Sequence, residues 1–238
     1  MSKLIFFDTE TTGNTEKDFL CQIAYKTGGD SFAGLYKPSN KIPPEASAVH
    51  HITNKIVTNK PSLKESGDLP KIKKLFEDKD SIIVAHNASF DLLMIKKEGI
   101  EPKKFICTLR LARYLDKEEK IERYNLQYLR YLLEIEIDAT AHNALGDVLV
   151  LEKLFERLKN KMMKEENLNE NEAIEKMIEI SGHPSLIRIL NFGKYKGKKV
   201  EEVVSIDRGW LEWLLGEKEK SDQIDEDWIY TLKHYLGK

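Results

Sequence analysis

Short runs of apolar residues mark the first part of the chain. The first run covers residues 4–7, within a predicted strand over 3–7, and stops at Asp8; the second covers 19–26, and the third covers 31–36. Polar residues and the pair Gly28-Gly29 separate the runs, as expected of tight connections between strands. Their short length and close spacing predict three strands in an antiparallel meander.

After residue 60 the pattern changes to alternating helix and strand. Apolar residues spaced i, i+3, i+4 predict a helix over 68–78, and the continuous apolar run 81–85 predicts a strand buried on both faces. The remaining predicted elements are a helix over about 88–97, a strand at 105–108, and helices at 109–115, 126–133 and 143–158. The order β-β-β-α-β-α-β-α predicts an α/β fold, a mixed five-stranded sheet flanked by helices with its first strand in the centre.

The last third of the chain has a different character. Residues 161–184 are charged and favour helix, with a break at 167–171, which predicts a helical linker. Beyond them, Gly193 and Gly197 stand at turn spacing and three tryptophans follow. We expect a small α+β module over 185–238, a hairpin and two helices, after a main domain over 1–160.

Composition narrows the class of protein. The 238 residues have 41% hydrophobic content and a net charge of −2, which fits a water-soluble chain of one large domain and a small module. Without a basic excess, charge alone does not indicate nucleic-acid binding. Cys21 and Cys107 lack disulfide or metal-ligand spacing, and the N-terminus lacks a signal-peptide pattern. We therefore expect a cytoplasmic protein with no membrane partner.

Two acids close the first strand. Asp8 and Glu10 are two residues apart, so their side chains point to the same face of the strand. Two carboxylates at the end of a buried strand repel each other and are costly to desolvate. A divalent cation would offset both costs, whereas the alternative is an exposed strand end whose acids face water.

Two later segments also carry acids at the ends of elements. Asp91 falls in the first turn of the helix after strand 81–85, where the helix dipole alone would also favour it. His142 and Asp147 are five residues apart, about 140° around a helix, so they converge only if His142 precedes the helix. Four carboxylates and one histidine suit Mg²⁺ or Mn²⁺ better than zinc, and two-metal sites of this kind hydrolyse phosphodiesters.

These segments resemble the three motifs of the DEDDh (DnaQ-like) 3′–5′ exonucleases. The matching stretches read FDTETTG at 7–13, HNASFD at 86–91 and HNALGD at 142–147, the last with the H-x-A-x-x-D form. Residues 48–53 resemble a further segment of that family, in which Gly often stands where this chain has His51. The resemblance covers about residues 1–160 and implies a ribonuclease-H-like fold. Residues 180–184, 192–198 and 210–215 resemble the tail of exonuclease-X-like proteins.

The resemblance implies roles for the acidic segments. Asp8, Glu10, Asp91 and Asp147 would hold two Mg²⁺ or Mn²⁺ ions, and His142 would be the general base. The implied activity is a repair or proofreading exonuclease that releases nucleoside 5′-monophosphates from DNA 3′ ends, single-stranded or frayed. An RNA-trimming enzyme of the same superfamily is the close alternative. A proofreading or targeting subunit, acting through a DNA polymerase or repair partner, is another. The oligomeric state is left open.

Several other residues are candidates for substrate contact. Thr11 and Thr12 follow the acids and would hold the terminal nucleotide, or merely form a turn. Asn87 would contact substrate or cap its helix. The basic residues near Tyr195 would follow a phosphate backbone, or only line a solvated rim. They are Lys194, Lys196 and Lys198.

Overall fold

The five predicted strands form one mixed sheet. The computed structural model describes residues 3–137, 144–222 and 225–238. The strands are β1 Lys3–Thr11, β2 Leu20–Thr27, β3 Asp30–Leu35, β4 Ser81–Ala85 and β5 Phe105–Cys107. Their order is β3-β2-β1-β4-β5, with β2 antiparallel to both neighbours and β4 parallel to β1 and β5. The predicted α/β, ribonuclease-H-like sheet with a central first strand is confirmed.

Helices connect and cover the sheet. In the described residues they are α1 Pro44–His50, α2 Asn54–Val57, α3 Leu69–Phe76, α4 Ala88–Lys97, α5 Thr108–Leu115, α6 Leu126–Leu132, α7 Ala144–Glu166, α8 Glu170–Ser181, α9 Val200–Lys220 and α10 Glu226–Leu236. A 3-10 turn spans Leu63–Glu65. None of the helices in the described ranges combines the length and the hydropathy of a transmembrane span.

Strand β1 is longer than its apolar run predicts, because it continues through both acids. It pairs with β2 as far as Thr11, with an irregularity after Glu10. Its pairing with β4 is recorded only from Lys3 to Phe6. The last residues of β1 therefore extend past the end of β4. Asp8 lies in this extension, where β1 has no pairing with β4.

The sheet has a hydrophobic core on each face. On one face Phe6 packs edge-on against Phe155 of α7, with ring centroids 5.3 Å apart. On the other face Phe7 packs against Phe76 of α3 at 5.4 Å. Successive residues of a strand point to opposite faces, so the continuous apolar run is explained by burial on both sides. Asp8 shares the face of Phe6 and so faces α7.

The segment predicted to be a helical linker packs against the main core. Helix α7 runs to Glu166, beyond its predicted end, and α8 follows it. Met162 and Met177 are fully buried in the same core as Phe155. Ser181 Oγ also accepts a hydrogen bond from the Cys107 N–H at 2.8 Å, which ties the end of α8 to β5.

The predicted C-terminal hairpin is present only in a reduced form, in which the Leu190 N–H donates to the Lys198 carbonyl at 2.9 Å and the Val200 N–H to the Arg188 carbonyl at 2.8 Å. In the described part of residues 185–238 the only β pairing is one isolated bridge, Ile189 to Lys199. Gly193 and Gly197 both adopt left-handed φ angles, 69° and 85°, so the chain turns twice within five residues between the two short paired segments. Two helices do follow, and they bury Trp228, whereas Trp213 is 57% exposed and is not core.

A matched pair of substitutions tests whether residues 161–184 belong to the main core. Met162 is buried and its neighbour Met163 is half-buried on the same helix. We expect Met162→Ala to lower the free energy of unfolding by about 2–5 kcal/mol because it leaves a cavity. Met163→Ala is the control and should cost under about 1 kcal/mol. Urea denaturation followed by circular dichroism measures both, and equal small losses would show that this segment is a linker.

Candidate active site

Three carboxylates converge where β1 meets α7. Asp8 and Glu10 project from the α7-facing side of β1, and Asp147 lies in the first turn of α7. Each offers an oxygen, and these oxygens all lie within 4.8 Å of one another. The three side chains are half-buried, so the cluster is open to solvent on one side. The predicted convergence of the first and third acidic segments is therefore present in the fold.

This donor set fits a hard divalent cation. Oxygens around a magnesium ion at about 2.1 Å lie up to about 4.2 Å apart, which is comparable with the spacing of the cluster. All three donors are carboxylate oxygens, without thiolate, which disfavours zinc. The residues present can therefore hold a metal ion of this class.

Asp91 approaches the same strand from the opposite side. It lies in the first turn of α4 and is 5% exposed. Its Oδ1 accepts hydrogen bonds from the Thr9 N–H at 3.1 Å and from Thr9 Oγ1 at 2.6 Å. This is possible because β1 extends past β4 and leaves the Thr9 N–H available. The alternation of side chains along the strand turns Thr9 away from Asp8 and Glu10, and no motif in the sequence indicates its contact with Asp91.

The acids raise one another's pKa values. Burial, reinforced by Asp147 and Asp91, raises the pKa of Glu10 to about 8. Burial raises the pKa of Asp91 to about 7 despite its hydrogen bonds from Thr9. Burial, then the charges of Asp91, Glu10 and Asp147, raise the pKa of Asp8 well above its usual value. The cluster therefore favours a bound positive charge, which would stabilise the ionised carboxylates.

The predicted general base lies outside the described residues, whereas the structure does show a polar neighbour of Asp147. His142 lies in residues 138–143, outside the described residues. Gln127 of α6 donates a hydrogen bond from Nε2 to Asp147 Oδ1. The sequence predicts only a helix for residues 126–133, and no motif there indicates a functional role for Gln127.

The two threonines after the acids are tied into the protein. Thr11 Oγ1 donates to the Gly13 carbonyl, and Thr12 Oγ1 donates to Asp18 Oδ1 at 2.8 Å. His50 also holds this turn, with Nε2 3.1 Å from the Thr11 carbonyl oxygen. Because Nδ1 of His50 accepts from the Ile52 N–H, Nε2 carries the proton. These contacts shape the turn beside Glu10.

His51 and Asn87 both adopt left-handed conformations. His51 has a φ of 62° at the end of α1, which explains why glycine suits this position in the resembling family. Asn87 has a φ of 59° before α4, and its side chain makes no capping hydrogen bond. The capping role considered for Asn87 is therefore wrong. Its exposed side chain lies just beyond β4, near the start of the Asp91 helix.

One of the three lysines of the predicted basic cluster is paired with an acidic side chain. Lys194 Nζ lies 2.7 Å from Asp207 Oδ2, so that carboxylate balances its charge. Asp207 also accepts a hydrogen bond from the Tyr195 hydroxyl at 2.9 Å. Lys196 and Lys198 are exposed on the turn that follows.

Ion pairs hold the C-terminal helices beside the site. Arg110 of α5 is 6% exposed and donates to Glu226 Oε2 of α10 at 2.5 Å. Asp227 pairs with both Arg110 and Arg113. Glu226 also accepts from Ser89 Oγ at 2.9 Å, in the first turn of α4. The start of α10 therefore contacts the helix that carries Asp91.

Known proteins match both parts of the chain. The family model described as Exonuclease matches residues 5–155, and the one described as Exodeoxyribonuclease X-like C-terminal matches residues 190–219. Exodeoxyribonuclease 10 of Escherichia coli (strain K12) is 32% identical over 203 residues, covering 85% of this chain and 83% of that protein. DNA polymerase III subunit epsilon of Treponema pallidum (strain Nichols) is 32% identical over 163 residues, covering 63% of this chain and 73% of that protein.

A solved structure shares the fold. The structure of Exonuclease X in complex with 5′ overhanging duplex DNA superposes with a TM-score of 0.57 at 26% sequence identity. The match covers 75% of this chain and 99% of that one. Together with the family models and Exodeoxyribonuclease 10, of which the match covers 83%, it leads to one conclusion. This chain belongs to the DnaQ-like exonuclease family, and it carries an exodeoxyribonuclease X-like C-terminal segment.

Proposed function

We propose that this exonuclease removes nucleotides one at a time from DNA 3′ ends and releases nucleoside 5′-monophosphates. The observation that carries the proposal is the group of three carboxylates, Asp8, Glu10 and Asp147, with Asp91 beside it. The choice of DNA is supported by the names of Exodeoxyribonuclease 10 and of Exonuclease X bound to duplex DNA.

We propose that the four acids hold two divalent ions, Mg²⁺ or Mn²⁺. When bound, such ions lower the pKa of a water and stabilise the leaving 3′ oxygen. Asp8 is the proposed shared ligand, because its pKa responds to all three other acids. Asp91 is oriented by Thr9, whose two hydrogen bonds to Oδ1 leave Oδ2 outside that contact.

His142 is proposed as the general base, which takes a proton from the attacking water. An imidazole with a pKa near neutrality suits that step. The support is the H-x-A-x-x-D spacing, in which His142 stands five residues before Asp147 in the sequence.

The substrate contacts remain proposals of different strength. Thr11 and Thr12 already use their hydroxyls within the protein, so their contribution would be to shape the turn that holds the last nucleotide. Asn87 is the stronger candidate because its exposed side chain is not used as a cap. Of the basic residues, Lys196 and Lys198 are better placed for phosphate than Lys194, which Asp207 already pairs.

We also propose a division of labour along the chain. Residues 1–160 carry the chemistry, 161–184 pack on that part and connect it to the rest, and 185–238 contribute nucleic-acid contact. Free, buried Cys21 and Cys107 suit a reducing cytoplasm. A proofreading subunit with a polymerase partner is the second candidate, and its support is the similarity to DNA polymerase III subunit epsilon.

End-labelled substrates test the activity and the choice of nucleic acid. Single-stranded DNA, duplex DNA and RNA are incubated with Mg²⁺ or with EDTA. We expect DNA to shorten stepwise from the 3′ end with Mg²⁺ only. Asp8→Asn should slow this about 100- to 10,000-fold, since several kcal/mol of metal-dependent stabilisation are lost. Asp30→Asn, at the exposed β2–β3 turn, is the matched control. Faster shortening of RNA would identify a ribonuclease, and no shortening would reject both.

The raised pKa values predict how stability depends on pH without metal. The folded protein keeps protons on Glu10 up to about pH 8 and on Asp91 up to about pH 7, whereas the unfolded chain loses them near its usual values. Because the folded state binds more protons in this window, stability is highest below it and falls as pH rises.

Thermal melting measures this effect. In EDTA we expect the melting midpoint to fall between about pH 5 and pH 8, and we expect Mg²⁺ to restore it mainly at pH 8. Glu10→Gln removes one titrating group and should flatten the profile. A midpoint raised equally by Mg²⁺ at both pH values would contradict metal binding by these acids.

The role of His142 is tested by its pH signature. We expect His142→Ala to slow turnover about 100- to 10,000-fold, because general-base assistance is lost. The rise in the wild-type rate near about pH 6.5 should also disappear. Mn²⁺ affinity measured without substrate should stay unchanged. His183→Ala, an exposed histidine, is the control. A variant that keeps the wild-type pH profile would rule out His142 as the base.

A further inference from the structure

Gln127 contacts the carboxylate cluster from a helix outside the three acidic segments. Its Nε2 donates to Asp147 Oδ1. Its Oε1 is the one buried side-chain nitrogen or oxygen without a hydrogen-bond partner in the described part of the chain. Both atoms belong to one planar amide, so the unpartnered oxygen lies beside the same carboxylate.

We propose that Gln127 is a positioning residue of the metal site, an inference that rests on the proposed function. Its N–H holds Asp147 in the orientation that presents a ligand oxygen. Its Oε1 would accept a hydrogen bond from a water carried by the ion when the ion is bound. An unpartnered buried acceptor is unfavourable, and a donor that arrives with a bound ion would satisfy it. Magnesium usually keeps several of its waters, and these are such donors.

A neutral amide is the suitable group at this position. A lysine or arginine would neutralise Asp147 and compete with the cation for it. A carboxylate would add repulsion to a cluster whose pKa values are already raised by neighbouring acids. Glutamine donates a hydrogen bond to Asp147 without changing the charge of the site.

Helix α6, which carries Gln127, is fixed at its start. Asn125 Oδ1 caps the helix by accepting from the Tyr128 N–H at 2.8 Å. The carbonyl of Tyr124 lies 2.6 Å from His86 Nε2, and His86 directly follows β4. Burial lowers the pKa of His86 to about 4, so the ring is neutral at pH 7 and donates from Nε2. The sheet end that leads to Asp91 therefore also anchors the helix that carries Gln127.

Packing in the hydrophobic core holds α6 against α7. Leu129 of α6 is 1% exposed and packs in the same core as Leu151 of α7. The helices that carry Gln127 and Asp147 are thus packed together. A side chain held between packed elements can orient a ligand with little loss of entropy on metal binding.

The test compares metal affinity with stability. Mn²⁺ binding is titrated by electron paramagnetic resonance without nucleic acid, and melting is measured in EDTA. Gln127→Met keeps the length of the side chain and removes both polar atoms. We expect a Mn²⁺ affinity about 10-fold weaker, within the range for outer partners of metal ligands. The EDTA melting midpoint should change little, because removal of the unpartnered buried oxygen offsets loss of the hydrogen bond to Asp147.

Two further variants make the outcome decisive. Tyr131→Leu, on the same helix and 71% exposed, should leave Mn²⁺ affinity unchanged. Asp8→Asn should weaken Mn²⁺ binding more than Gln127→Met does. If Gln127→Met binds Mn²⁺ like the wild type while Asp8→Asn does not, the role of Gln127 is rejected and the metal site stands. If Asp8→Asn also binds like the wild type, the metal site itself is rejected.

Discussion

Repulsion among partly buried carboxylates is the constraint on which this structure depends. Asp8 and Glu10 sit on the central strand, and α7 brings Asp147 to them. Burial and the neighbouring acids raise the pKa values of Asp8 and Glu10, so the arrangement is unfavourable without a cation. Two hydrophobic cores, one on each face of the sheet, hold the strand in place against this repulsion. The carboxylates therefore lower the stability of the fold locally, and their negative charge is available to bind a metal ion.

The extension of β1 beyond β4 determines how Asp91, the fourth acid, contacts the central strand. If β4 continued alongside β1, the Thr9 N–H would be used in the ladder and Asp91 would have no donor there. Because the recorded pairing of β1 with β4 ends at Phe6, Asp91 binds Thr9 from the far side of the sheet. The end of β4 has a second consequence, since His86 leaves it to anchor α6. A difference in strand length thus organises both sides of the site.

The C-terminal helices are fixed to the catalytic part through buried charge. Arg110 is almost wholly buried and is paired with Glu226 and Asp227. Such a pair contributes little net stability, but loss of one partner leaves a costly buried charge. It therefore specifies position more than it stabilises. With α8 packed on β5 and α10 on α5, the C-terminal segment lies beside the helix of Asp91.

The sequence by itself determined the elements, the order that leads to a mixed sheet, and the identity of the acids. Those features depend on periodicity and on short motifs, which are local. It did not determine that β1 continues past its apolar run, that the supposed hairpin is a single bridge, or that residues 161–184 belong to the core. Nor did it indicate Gln127, whose place in the chain resembles any polar helix position. Only tertiary packing decided these points. Each depends on where neighbouring strands end and on which helices pack together, and a local sequence pattern does not encode either.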